Sequence, residues 1–331
     1  MNSYIDPMTT TININNLPKE FISRLEVIFP DKHLDSVLKS FIQSKKTVFR
    51  CNGLKTTSSQ VSKLLSQSGI RCIPMDGVNG AFLVPGDQRR ALTESEAFRD
   101  GHVYIQNPSS MIPPTILDPK PGEEVLDLAA APGGKTIHIA DLMQNNGRIG
   151  AVESVKKRFF RLKENIKRAD ANIVKLYLKD GRSVGRQCPE RFDRVLLDAP
   201  CSGEGLFDLS NPKTYAFWSE KKIREMIRKQ IRLFDSAIQA LKTGGTLVYS
   251  TCTFAPEENE GVIDQILRKY GSTIEVVAVE IPGSNIERGL KKWRNIQFNE
   301  QVALARRVVP NDVYEGFFIC KIVKRKPTHS I

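Results

Sequence analysis

Two cysteines carry the plainest chemical signal in the chain. The apolar run from Val195 to Leu197 delivers Asp198 and, three residues further, Cys201, while the run from Leu247 to Thr251 leads straight into Cys252. A lone cysteine at a strand end is ordinarily a small apolar filler. Two of them leaving apolar strands of one parallel sheet emerge on the same side, which is where such sheets bind ligands. A thiol near a cation or a helix N-terminus ionises more readily and attacks as thiolate. Lys135 and a helix beginning near Pro256 are the expected sources of that field.

A third constellation lies between Val125 and Thr136, where an apolar run ends in Asp127 and passes through Gly133 and Gly134 into a helical pattern. Glycines there let the chain turn sharply and a ligand approach the backbone. A second apolar run ends in Glu153, at about the spacing of twenty residues at which nucleotide-binding folds set an acid on ribose hydroxyls. Gly134, Lys135 and Thr136 resemble the end of a P-loop, whose first glycine would fall at position 129. Ala129 stands there, and the pattern fails.

These residues need a sheet to hold them, and the pattern supplies one. Strands are expected near 124–129, 147–153, 173–179, 192–198 and 245–251, with helices near 134–145, 155–170, 219–242 and 256–270. That alternation is a parallel sheet with crossover helices. Apolar runs at 274–279 and 316–323 close the chain. Ahead of this lies an α+β stretch, with two short helices between Leu17 and Ile42, strands near 47–52, 69–74 and 80–85, and a helix over 58–68. Residues 85–101 read as its connector.

At 331 residues the chain has room for two domains. The expected division is a flexible N-terminus at 1–18, an N-terminal α+β domain at 19–100, a catalytic domain at 101–325 and a tail at 326–331. No apolar run approaches the roughly 20 residues of a membrane span, and the polar start lacks a signal core, so a cytoplasmic location is expected. Six cysteines without a C-x-x-C pair read as free thiols, and four histidines without ligand spacing argue against a metal. A net charge of +12 points to a polyanion such as nucleic acid. In the stretch 156–168 seven of thirteen residues are basic, and 220–232 is similar with two acids; each helix on its own reads as a solvated face, and together with the net charge the two are expected to contact backbone phosphates. The basic segment 285–307, with Trp293, is a further candidate to face the partner.

Four segments, in this order, resemble the Sun/Fmu (NOL/NOP/Sun) family of RNA cytosine-5 methyltransferases: Gln106 to Met111, Asp127 to Thr136, Asp198 to Gly205 and Tyr249 to Phe254. The resemblance implies a class I, Rossmann-like methyltransferase domain with a seven-stranded sheet, its last strand antiparallel, and S-adenosylmethionine as cofactor. It implies Cys252 as the nucleophile that adds to carbon-6 of cytosine, Cys201 as the group that assists loss of the carbon-5 proton, and Asp198 with Lys135 at the pyrimidine edge. Cofactor contacts carry over to Ala129, Ala130, Ala131, Pro132, Gly133, Gly134 and Lys135, with Glu153 on the ribose, Asp180 by the adenine, Asp198 bordering the site and Arg158 in the same pocket. Many members have cysteine where Ala129 stands.

The expected substrate is ribosomal RNA, with transfer RNA a close second, and the expected form is a monomer without metal. Relatives carry an N-terminal module similar to an RNA-recognition fold, although the aromatic signature of that fold is missing here. DNA cytosine-5 methyltransferases use the Pro-Cys thiol, here Cys201, as nucleophile; the Thr251-Cys252 pair favours the RNA arrangement. Methylation of an exocyclic amine calls for an aromatic residue where Cys201 stands. The alternative function is a catalytically inactive RNA-binding or ribosome-assembly protein.

Overall fold

The computed structural model describes residues 14–29, 33–281, 283 and 285–328. Most of the expected flexible N-terminus, residues 1–13, and the end of the expected tail, 329–331, lie outside the described residues. The chain begins with α1 (Lys19–Ile28), α2 (Leu34–Ser40), β1 (Thr47–Cys51), α3 (Ser58–Gln67), β2 (Ile73–Pro74), β3 (Ala81–Val84), α4 (Arg89–Glu94), α5 (Glu96–Arg99) and β4 (Val103–Ile105). It continues through α6 (Pro108–Leu117), β5 (Glu124–Asp127), α7 (Gly134–Leu142), β6 (Arg148–Glu153), α8 (Lys156–Arg168), β7 (Val174–Leu178), α9 (Val184–Gln187) and β8 (Phe192–Asp198). The last part holds α10 (Glu220–Ala240), β9 (Leu241–Thr251), α11 (Glu260–Tyr270), β10 (Ile274–Val277), β11 (Ile286–Arg288), β12 (Lys292–Trp293), β13 (Ile296–Gln297), β14 (Arg306–Val308) and β15 (Phe317–Lys324).

The small N-terminal sheet is antiparallel, in the order β2-β3-β1-β4. Thr57 opens α3 with a reciprocal cap, its hydroxyl accepting from Gln60 while the Gln60 side chain accepts from the Thr57 backbone. Phe49, Val61, Leu65, Phe82 and Leu92 fill the core. The stretch 85–101 is therefore more than a connector, since α4 and α5 send Leu92 and Ala97 into that core. Of the run 69–74 only Ile73 and Pro74 pair, against β3. The sheet also continues past residue 100, because β4 pairs with β1. Arg50, fully buried on β1, reaches the catalytic body through an ion pair with Asp141 on α7. Asn52 adds a hydrogen bond to the Ala169 carbonyl at 2.9 Å.

The large sheet runs β11-β14-β15-β9-β8-β5-β6-β7, with β10 against β15. The five strands from β9 to β7 are parallel to their neighbours, and β15 enters antiparallel to β9. The expected seven strands are joined by β14 and β11, which extend the sheet along the first half of β15. Val125, Leu126, Val195, Leu196, Leu197, Leu247 and Val248 are all buried because crossover helices cover both faces. No helix among the described residues is long and apolar enough to cross a membrane.

Two expectations change. The helix after Cys252 starts at Glu260, and Pro256 opens a turn instead. Asn259 breaks the helical path at φ −103°, ψ −98° because its side chain is committed backward, donating to the Thr253 carbonyl at 2.9 Å and accepting from Thr251 at 2.5 Å. Trp293 is 5% exposed, with the guanidinium groups of Arg24 and Arg294 at 5.2 and 5.6 Å from its ring centre, so it offers no aromatic face to a partner.

Helices α1 and α2 pack into the catalytic core rather than the small sheet. Phe21 lies 4.9 Å from the Phe207 ring and 5.5 Å from Trp218, and Phe41 lies 6.3 Å from Phe254. These rings back the loops that follow Cys201 and Cys252. Phe21→Ala is expected to cost about 3–5 kcal/mol as a large-to-small core change, read as a lower denaturant midpoint for the catalytic body; an unmoved midpoint would mean that α1 merely rests on its surface.

Candidate active site

Four strand ends come level at the carboxyl edge of the sheet. Register sets Asp127 beside Ala151 and Leu196, and Asp198 beside Ser250. Beyond β5 the chain crosses its neighbours, with Leu128 N–H donating to the Leu196 carbonyl at 3.1 Å and Ala130 N–H to the Val152 carbonyl at 2.9 Å. Gly133 then turns into α7 at φ +113°, a conformation that side chains other than glycine's resist. Asp127 is 1% exposed. One of its oxygens accepts from Thr136 at 2.7 Å and the other has no partner. Burial, offset in part by Thr136 and reinforced by Asp198, pushes its carboxyl up to about 6.

Glu153 is buried at the end of β6, one oxygen accepting from Val155 N–H at 2.8 Å. The other oxygen has no hydrogen-bond donor, although the Arg158 guanidinium stands 3.4 Å away. Arg158 also donates to the Ala131 carbonyl at 2.6 Å, which clips the glycine turn to β6. Asp180 lies just past β7, where it is half-exposed and paired with Arg182, whose backbone it caps. A cavity of about 360 Å³ is lined by Asp127, Ala129, Ala131, Pro132, Lys135 and Asp198, with Ser110 and Glu315 opposite. Glu153, Arg158 and Asp180 are not among its walls. Two other cavities, of about 380 and 670 Å³, touch neither Asp127, Asp198 nor either sulfur of interest, so they hold none of this chemistry.

Lys135, in the first turn of α7, is the hub of the charged part. Its ammonium lies 2.7 Å from Asp198, donates to Ser110 Oγ at 2.5 Å, and sits 5.3 Å from the centre of the Phe317 ring. Ser250 Oγ donates to the other oxygen of Asp198 at 2.8 Å. Burial pushes Glu315, across the cavity, up to about 7.

The two sulfurs meet. Cys201 Sγ is 3.3 Å from Cys252 Sγ, and both residues are half-buried. Hydrogen bonding to Cys252, then burial, then the charge of Cys252 push the Cys201 thiol well above its ordinary range. The Cys252 carbonyl accepts from Gly205 N–H at 2.9 Å. A Cβ on Gly205 would stand 2.3 Å from the Gly316 carbonyl oxygen, so only glycine lets these loops touch.

Thus the fold brings Cys201 to Cys252 and joins Asp198 to Lys135 beside the glycine turn. Several polar residues of the site carried no role in the sequence reading. Ser110 sits inside the Gln106 to Met111 segment and Ser250 directly before Thr251, but neither was singled out there. Ser202, Glu204, Thr253 and Glu258 also escaped it, because the glutamates after Cys252 read as a helix start. Among the described residues no group of acids, cysteines and histidines is placed to hold a metal ion.

A parallel sheet with an inserted antiparallel strand, a glycine turn after its first catalytic-domain strand and acids at its carboxyl edge define a Rossmann-like methyltransferase. Comparison with known proteins agrees: residues 114–323 match the family described as 16S rRNA methyltransferase RsmB/F, and the chain belongs to that family. It is 38% identical over 280 residues to a tRNA (cytosine(49)-C(5))-methyltransferase of Pyrococcus abyssi, covering 84% of this chain and 87% of the relative. It is 33% identical over 318 residues to a ribosomal RNA small subunit methyltransferase F of Vibrio vulnificus, covering 95% of this chain and 65% of that protein's length. A crystal structure of a methyltransferase homolog from Pyrococcus horikoshii superposes with a TM-score of 0.81 at 32% identity, covering 97% of this chain and all of that one (100%).

The carboxyl of Asp127 yields a pH test. Because its folded value, about 6, lies above the usual 3.8, the folded state binds this proton more tightly than the unfolded chain. Stability should therefore rise as pH falls through 6, and be fully gained below the unfolded value. The stability of the protein relative to Asp127→Asn should increase by about 1–3 kcal/mol between pH 7 and pH 4 in denaturant titrations. A difference independent of pH would place the proton elsewhere.

Proposed function

We propose that the protein transfers a methyl group from S-adenosylmethionine to carbon-5 of a cytosine in RNA. The observation that carries this reading is the sulfur pair, 3.3 Å apart at the ends of adjacent parallel strands and flanked by the Lys135–Asp198 pair. Carbon-5 of cytosine is a poor nucleophile, and only prior attack on carbon-6 makes it reactive; a single thiol could add, but a second group is needed for the proton that must later leave.

The residues present fit the cofactor. Glu153 offers a buried carboxylate oxygen that lacks a hydrogen-bond donor, as a ribose hydroxyl requires, and the Ala129 to Lys135 turn lines a cavity that also holds Asp127 and Asp198. Arg158 steadies both pieces, and Asp180, next along the edge from Glu153, would serve the adenine. When bound, the cofactor supplies an electrophilic methyl carbon. Everything else falls to the chain. The Cys252 thiolate forms a bond to carbon-6, and the carbon-5–carbon-6 π pair takes up the methyl. Cys201, after releasing its own proton to water, accepts the carbon-5 proton, the C–H pair restores the double bond, and the S–C pair returns to Cys252. Asp198, held by Lys135 and Ser250, meets the pyrimidine edge, where fixed charge of this kind typically contributes several kcal/mol. The resemblance carried by the Tyr249 to Phe254 segment supports Cys252 rather than Cys201 as the attacking sulfur.

The target base must stand free of a duplex for a sulfur to reach carbon-6. The exposed cations of α8 suit the flanking phosphates: Lys156, Lys157 and Arg161 form no ion pair among the described residues, whereas Glu225 neutralises Lys222 and Lys229 on α10. Ribosomal RNA and transfer RNA are both proposed, as relatives of both kinds exist. The inactive RNA-binding alternative leaves two converging sulfurs without a purpose.

Labelled methyl groups should pass from cofactor to RNA, and bisulfite mapping of cellular RNA with and without the gene identifies the molecule and the cytosine; no transfer to any RNA fraction would overturn the reading. Cys252→Ala should abolish turnover, and Cys201→Ala should accumulate a protein–RNA adduct that survives denaturing gels; the reverse pattern would exchange the two roles. RNA affinity should fall steeply with salt, and alanine at Lys156, Lys157 and Arg161 should flatten the log–log slope by about 2–3. An unchanged slope would remove α8 from the RNA path.

A further inference from the structure

Behind the two sulfurs lies a buried polar bridge that the reaction scheme above does not use. Glu258 is fully buried, 0% exposed, in the turn that follows Cys252. Its Oε2 accepts from Ser202 N–H at 3.0 Å and from Gln230 Nε2 at 2.8 Å, and its Oε1 is hydrogen-bonded to Ser202 Oγ. Gln230 Nε2, on α10, also donates to the Pro200 carbonyl at 3.0 Å. Both residues flanking Cys201 are thus held from one side, Pro200 through Gln230 and Ser202 directly by Glu258.

The bridge reaches the other sulfur as well. Ser202 Oγ lies 2.7 Å from Thr253 Oγ1, the residue after Cys252, and Thr253 Oγ1 donates to Glu204 Oε2 at 3.0 Å. Glu204 is itself 1% exposed and is held by Trp218 Nε1 at 2.7 Å and Phe254 N–H at 3.1 Å. Ser202 Oγ donates to Glu258 Oε1, and burial, offset in part by the Ser202 and Gln230 hydrogen bonds, pushes the Glu258 carboxyl up to about 8. Two buried carboxyls, Glu258 and Glu204, thus hold the linked hydroxyls of Ser202 and Thr253 from opposite ends.

We propose that Glu258 is a positioning residue for the second half of the reaction: through Ser202 and Gln230 it fixes the backbone that carries Cys201, so that this sulfur faces carbon-5 while Cys252 is bonded to carbon-6. The proposal rests on the methyl-transfer reading. It assigns Glu258 no contact with base or cofactor. Its loss should leave attack and methyl transfer largely intact and slow the step in which the carbon-5 proton leaves and the enzyme is released.

The experiment uses the full chain with methylatable RNA and follows two quantities, label transferred per enzyme and the fraction of enzyme trapped as denaturant-stable adduct. Glu258→Ala should turn over at least tenfold more slowly while adduct accumulates, as with Cys201→Ala. Glu258→Gln should restore turnover and clear the adduct, because its carbonyl can still accept from Ser202 N–H and Gln230, while its NH₂ donates to Ser202 Oγ once that hydroxyl turns to Thr253. Ser202→Ala, which keeps the backbone contact and removes the hydroxyl link, should show a smaller accumulation. Ordinary turnover without adduct in Glu258→Ala would overturn the proposal, and so would loss of turnover with no adduct while cofactor binding persists, or a Gln variant as impaired as the Ala one. If Glu258→Ala fails to bind cofactor because it does not fold, Ser202→Ala decides, and its failure to trap any adduct overturns the idea. Absence of methyl transfer by the unaltered protein, or of adduct in Cys201→Ala, would instead sink the underlying reading.

Discussion

The parallel register between β8 and β9 is the constraint on which the site depends. Pairing Asp198 with Ser250 brings the two strands to the same level, so that a carboxylate, a hydroxyl and, a few residues on, two sulfurs converge. Side chains alternate along a strand, so a slip of one residue would turn every one of them to the opposite face. Buried Leu196, Leu197, Leu247 and Val248 oppose such a slip because both faces of the sheet are packed. The close contact of Gly205 with Gly316 then closes the loops over the strand ends, and β15 is drawn into the site through that contact and through Phe317 beneath Lys135.

Charge is sorted by depth around this register. Toward the cavity Asp198 is matched by the Lys135 ammonium. Behind it, carboxyls without a cation of their own hold protons more tightly than in water: Asp127 to about 6 and Glu258 to about 8. Burying an unpaired charge is costly, and neutralisation by a proton is the usual escape. The consequence is a site whose front is an oriented ion pair while its support is buried and hydrogen-bonded.

The sheet was legible in the sequence because its strands are short apolar runs with acids at their ends, and the period alone separates them from the helices. The glycine turn, Asp198, Lys135 and both cysteines were legible for the same reason, since they sit where such runs stop. What the sequence hid was reciprocity. Ser110 gains its meaning from Lys135, and Ser250 from Asp198, across intervals that no local pattern spans. The run Pro256 to Glu260 has the composition of a helix start, but Asn259 is spent on Thr251 and Thr253, and the helix begins later. Trp293 looked available until the stack with Arg24 buried it. In each case a tertiary partner overrode a local preference.

Helices α1 and α2 show how far the catalytic body extends beyond the sheet. Phe21 and Phe41 pack on Phe207 and Phe254, which lie one short loop beyond the respective cysteines. The aromatic layer and the buried carboxyls therefore meet the same two loops from different sides, Glu204 joining them through Trp218, which also touches Phe21. A loop held by apolar contact alone could slide, and one held by hydrogen bonds alone would admit water to compete for them. Held by both, the two sulfurs keep their separation. That division of labour explains why residues at the start of the chain, far in sequence from any cysteine, belong to the structure that positions the chemistry.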